Sequence, residues 1–91
     1  MTDDIEVTLT MTQQEANLVL LAAARFAIPM RGNSATMATV NAILKCANIL
    51  TPETRARIVT ELQGQVYTGG DPWTDMDSAV YAEAAELLQT V

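Results

Sequence analysis

Seven consecutive apolar residues, Leu18-Val19-Leu20-Leu21-Ala22-Ala23-Ala24, set the first constraint on this chain. They follow Thr12-Gln13-Gln14-Glu15, a capping box in which the threonine caps a helix and the glutamate three residues on reaches back to the cap amide. The helix so started runs to about Ile28, where Pro29 stops it. With Ala16 and the seven-residue run gathered around Asn17, it is apolar on most sides. Such a helix has to be central in its fold or lie in a subunit interface. Ala22, Ala23 and Ala24 let another backbone come close.

The rest of the chain punctuates into three more helices. Asn33 or Ser34 is placed to cap a second helix over 34–49. Its core stripe is Met37, Val40, Ile43, Leu44 and Ala47, and its polar side is Ser34, Asn41, Lys45 and Asn48. No charged residue stands between Gly32 and Leu44, which predicts heavy burial within the fold or against another chain. Thr51-Pro52-Glu53 supplies a cap, a first-turn proline and a first-turn acid for a third helix to about Gln63. Ile58, Val59, Leu62 and Val66 are expected inside it, and Glu53 and Arg57 form an i,i+4 pair. Gly69-Gly70-Asp71-Pro72 is a strong turn signal. A fourth helix, capped by Asp75 or Asp77, then ends near Thr90 and turns Val80, Tyr81, Ala84, Leu87 and Leu88 inward.

Ahead of the helices, Ile5-Glu6-Val7-Thr8-Leu9-Thr10 alternates apolar and polar residues, the pattern of a half-buried strand. Its partner would be residues 65–68 or the same strand of a second subunit, since an open edge invites pairing. The expectation is a mainly α, single domain over residues 1–91. It has four helices, a short N-terminal β-strand, and the first two helices as the central pair.

Size sharpens the question of what stabilises this fold. A chain of 91 residues buries only a modest share of its surface. It has no histidine and one cysteine, Cys46, so neither a disulfide framework nor a His-ligated metal is open to it. Oligomerisation, with a dimer favoured, is the remaining reinforcement. Cys46, among Ala42, Ile43, Ala47 and Leu50, is expected as a buried small hydrophobe. No run of about 20 apolar residues predicts a membrane span, and Met1-Thr2-Asp3-Asp4 lacks the basic start of a signal peptide. A lone thiol without such a leader fits the cytoplasm.

The formal net charge of −6 argues against a general DNA or RNA binder. Its distribution is uneven. Residues 1–24 carry four acids and no base, residues 25–57 carry all five bases against Glu53, and residues 58–91 carry six acids and no base. Either the acidic ends fold over the basic middle, or the middle builds an anion or partner site. Arg25, Arg31, Asn33 and Ser34 are the candidate anion-site residues. A permissive Gly32, a helix N-terminus, a hydroxyl and two guanidinium groups suit a phosphate or carboxylate. No GK[ST] follows, so this is not a Walker A loop.

Asp71, Trp73, Asp75 and Asp77 form the second candidate site, for a protein partner. As a calcium loop starting at Asp71 the stretch fails, with Trp73 at position 3, Met76 where glycine belongs and Ala82 where the bidentate glutamate belongs. Trp73 either anchors a partner or lids the core between the third and fourth helices. The scarcity of aromatics (Phe26, Tyr67, Tyr81 and Trp73) favours the lid. Glu83 and Glu86, three apart on one helix face, read as a wet surface rather than an acid–base pair. No catalytic residue, metal or cofactor is expected.

The order of elements also carries a resemblance. An alanine-rich helix, Arg25-Phe26-Ala27, a basic turn and an uncharged helix come first. Leu50-Thr51, Thr54-Arg55, Ile58-Val59, Glu61-Leu62 and a late Trp73 follow. Over residues 5–75 this resembles small accessory proteins of phages and prophages. Those often read Arg-Tyr-Ala-Leu-Gly-Arg where this chain has Arg25-Phe26-Ala27-Ile28-Pro29-Met30-Arg31, so the Gly-Arg step differs. The resemblance implies a non-catalytic protein that inhibits a host defence protein by direct binding, as an anti-CRISPR does. Alternatives are an oligomer that sequesters a nucleotide signal, and a small structural or scaffold oligomer.

Overall fold

The computed structural model describes residues 5, 6, 8–67 and 69–91. Among these the fold is mainly helical. Four α-helices follow one another: α1 (Gln13–Ala27), α2 (Ser34–Lys45), α3 (Pro52–Gln63) and α4 (Pro72–Gln89), with a short 3-10 turn (Ile28–Met30) between α1 and α2.

Each start obeys its local chemistry. At α1 both arms of the capping box form: Thr12 Oγ1 accepts from Glu15 N at 3.1 Å, and Glu15 Oε1 accepts from Thr12 N at 2.9 Å. Asn33 caps α2 by accepting from Thr36 N at 2.9 Å, and Thr51 caps α3 with Pro52 in the first turn. At α4 the cap is Asp71, not Asp75 or Asp77. Pro72 takes the first helical position, where its missing N–H costs nothing, so the helix begins before Trp73. The α2 helix ends at Lys45, short of residue 49, because residues 46–49 tighten into turns closed by Ile49 N and Leu50 N on Cys46 O.

The core is built on Ala24, Ile28, Val40, Ile43, Ala47, Leu50, Ile58, Val59, Leu62, Tyr81, Ala84, Ala85 and Leu88, with Leu20, Leu21, Met37, Leu44 and Val66 packed against it. The most extensive helix pairing is α3 on α4, with α1 packed on α2 and α3. The expected central pair of the first two helices is therefore corrected. The apolar run of α1 buries Ala16, Ala24 and Ala27 and half-buries Leu20 and Leu21, while Leu18, Val19 and Ala22 stay exposed. Asn17, the polar break in that run, accepts from Thr51 N at 3.1 Å and ties α1 to the start of α3. Val80 and Leu87, expected inside, also lie at the surface. Glu53 and Arg57 are exposed and form no ion pair; among the described residues the ion pair is Arg25 Nε with Glu61 Oε1 at 3.7 Å.

No strand forms among the described residues; Val7 and Thr68 lie outside them. The reason lies in residues 65–67. Gln65 N and Val66 N close turns on Leu62 O and Gln63 O, and Tyr67 N donates to Ser78 Oγ at 2.9 Å. Gln65 O accepts from Arg31. The backbone that could have paired with the N-terminal segment is already committed. Instead Leu9 and Met11 line an apolar groove of about 480 Å³ with Val19, Leu20, Cys46 and Ile49. Cys46 is half-buried there, not fully enclosed.

Two expected outcomes follow from this packing. Ile58→Ala, at a fully buried position of α3 in the core cluster, should cost about 2–4 kcal/mol and lower the melting temperature by about 10–20 °C in a thermal scan. The hydrogen bonds of the α1 and α4 caps hold the Glu15 and Asp71 carboxyls below their ordinary range. A depressed carboxyl contributes stability above its unfolded value and loses it as pH falls through its folded value. Helicity should therefore decline on acidification through and below the carboxylate range. Asp71→Asn keeps a capping oxygen without the titration, so it should flatten the α4 share of that decline in circular dichroism.

Candidate functional site

Among the described residues, a cluster of convergent polar groups is centred on Arg31. This residue follows the 3-10 turn with φ +43°, a conformation that costs a non-glycine residue about 1–3 kcal/mol. Gly32, at φ +73°, completes the turn into α2. The turn drives the Arg31 guanidinium across the molecule to α4. There it donates to Gln65 O, to Thr74 O at 3.0 Å and to Ser78 Oγ at 3.1 Å. Its Cζ lies 5.0 Å from the Tyr67 ring centre and 5.1 Å from that of Tyr81, so two aromatic faces hold the cation. Burial, with the Asp77 carboxylate second, pushes the Tyr81 phenol above its ordinary range, against the pull of Arg31. Tyr81 is fully buried and its hydroxyl has no partner among the described residues.

This geometry disperses the four residues of the expected anion site. Arg31 is occupied by carbonyls and a hydroxyl. Asn33 Oδ1 is taken by Thr36 N and by Thr36 Oγ1 at 3.1 Å. Arg25 pairs with Glu61 on α3, and Ser34 is exposed. Arg55 is a second internal connector: it donates to Ala47 O at 3.0 Å and to Leu50 O, the carbonyls that end the α2 region. The basic middle of the chain thus feeds backbone acceptors more than acidic side chains.

The four residues of the expected partner site share one end of α4 but do different work. Asp71 caps the helix, accepting from Thr74 N at 2.9 Å. Asp77 is half-buried against the start of α2, where a Cβ on Gly32 would stand 3.1 Å from its Oδ2. Asp75 is exposed. Trp73 is 75% exposed, so it does not lid the core; Tyr81 is the aromatic that fills it. Sequence reasoning missed the company Trp73 keeps. Met76 is 60% exposed, and Val80 and Leu87 are exposed too. The spacing 73, 76, 80, 87 is that of a heptad seam, and this was the available signal. Glu83 takes the seam position between Val80 and Leu87, Asp75 and Glu86 lie beside it, and α4 contains no base.

Among the described residues no group of His, Cys, Asp and Glu is placed to hold a metal ion, and no helix is long and apolar enough to cross a membrane. Comparison with protein-family models, with curated proteins and with solved structures found no match.

If Arg31 is an internal connector, its removal is a stability event. Arg31→Ala should cost about 2–4 kcal/mol in urea unfolding, from three lost hydrogen bonds and two cation–π contacts. Arg31→Gly should recover part of that loss by relieving the positive φ. A surface anion-site arginine would instead leave stability within about 0.5 kcal/mol.

Proposed function

We propose that this protein is a non-catalytic, phage-type accessory protein that inhibits a host defence protein by binding it directly, in the manner of an anti-CRISPR. Its docking face is the outer seam of α4. The observation that supports this reading is Trp73, three-quarters exposed on the first turn of α4 and followed along one stripe by Met76, Val80 and Leu87. Tryptophan offers a large rigid contact area and is enriched where binding energy concentrates. A soluble helix that spends four outer positions on large apolar side chains gains nothing from them in isolation.

The flanking charge describes the partner. Asp75, Glu83 and Glu86 lie in or beside the seam, and two of the five bases, Arg31 and Arg55, are turned into the fold. The complementary surface is basic with an apolar centre, the character of a protein groove that holds nucleic acid. The acidic face competes for such a groove without contacting nucleic acid itself. The site of action is the cytoplasm of the infected cell.

The test pairs binding with a biological readout. Tagged wild-type protein should retain a defence component from a bacterial lysate and raise phage plating on a defence-positive strain. Trp73→Ala should weaken the isolated complex about 30-fold or more and abolish the plating effect, with the helical signal unchanged. Retention of no defence protein, together with unchanged plating, would sink the proposal.

A further inference from the structure

The solvent side of α1 carries a second, independent pattern. Opposite its core side, α1 presents Leu18 at 64% exposure, Phe26 at 73%, and Val19 and Ala22, also exposed. A surface helix normally turns polar residues outward, and among the described residues nothing covers this side. The charges of α1 are two, Glu15 in its first turn and Arg25 in its last, and both lie on that same side.

Spacing brings these features into one register. Glu15, Leu18, Ala22 and Arg25 follow each other by three, four and three residues, the step of a coiled-coil seam. We infer that α1 packs antiparallel against α1 of a second copy of this chain, across a two-fold axis. In that register Glu15 of each helix meets Arg25 of the other, and Leu18 of each fits over Ala22 of the other. Val19 and Phe26 flank the seam.

The seam is complementary to itself in this orientation alone. A parallel pair would stack Glu15 on Glu15, Arg25 on Arg25 and Leu18 on Leu18. The antiparallel pair also opposes the helix dipoles favourably. Ala22 permits an interaxial distance near the lower end of the usual range, about 8 Å. Both charged groups have capacity left for the contact. Glu15 spends Oε1 on Thr12 N, and Arg25 points Nε at Glu61, which leaves Oε2 and the terminal nitrogens. The α4 seam is the poorer choice for a second copy, because α4 on α4 would oppose Asp75, Glu83 and Glu86 to like charges with no base between them.

Sedimentation equilibrium across micromolar to millimolar protein tests the association, and cysteine cross-linking tests the register. Wild type should be a dimer of 9.8 kDa chains. Ala22→Glu, at an exposed position that the monomer tolerates, should raise the dimer dissociation constant by at least about tenfold, and Trp73→Ala should leave it unchanged. In a Cys46→Ser background, a mixture of Leu18→Cys and Ala22→Cys chains should form a mixed disulfide dimer on mild oxidation, while Leu18→Cys alone should not. A wild type that stays monomeric, or a dimer indifferent to Ala22→Glu, overturns the interface. Efficient cross-linking of Leu18→Cys to itself overturns the antiparallel register.

Discussion

The Arg31 guanidinium joins three parts of this fold through polar contacts. It leaves the turn between α1 and α2, crosses to the end of α3 at Gln65, and reaches α4 at Thr74 and Ser78. Tyr67 and Tyr81 close over it from two sides. A partly buried cation needs acceptors and aromatic faces in return, and the surroundings supply both. Ser78 serves twice, taking the Tyr67 N–H as well, so the segment between α3 and α4 is folded back onto α4 by the same cluster. Backbone strain at Arg31 and the turn glycine beside it are the local cost of aiming one side chain inward.

That arrangement changes the meaning of the charge pattern. A net charge of −6 with every base in the middle third looks like acidic ends wrapped on a basic centre. In the fold, two of the five bases serve carbonyl groups, and one, Arg25, pairs with an acid at the surface. Among the described residues no acid of α4 is in an ion pair. The outer surface of α4 is therefore more acidic than the total suggests, and Trp73 stands at its N-terminal end.

Small size explains why apolar residues remain outside. Four short helices enclose one thin core, and each can bury only one side. On α1 and α4 the unburied sides are apolar seams with coiled-coil spacing rather than polar coats. The two differ in charge. The α1 seam ends in one acid and one base and suits its own copy, whereas the α4 seam has acids alone and suits a basic surface. On the proposed readings, self-association and partner binding fall to different helices, separated by charge, with apolar area common to both.

Much of the backbone was legible in the chain itself. Thr12 with Glu15, Asn33, and Thr51 with Pro52 mark helix starts through hydrogen bonds made within four residues, so no distant contact is needed to read them. The core stripe of α2 and the inner residues of α3 followed from period alone. The failures share one cause, which is competition for the same groups by distant residues. Residues 65–67 read as a strand partner, yet Arg31 and Ser78 claim their polar atoms. Trp73 read as a core lid, yet Tyr81 fills that space. Arg31 read as a ligand-binding residue, because nothing within a few positions reveals that three acceptors wait for it on α3 and α4. Local hydrogen bonding and periodicity belong to the sequence. Which side of each helix is covered, and which way each arginine turns, was decided only when the helices met.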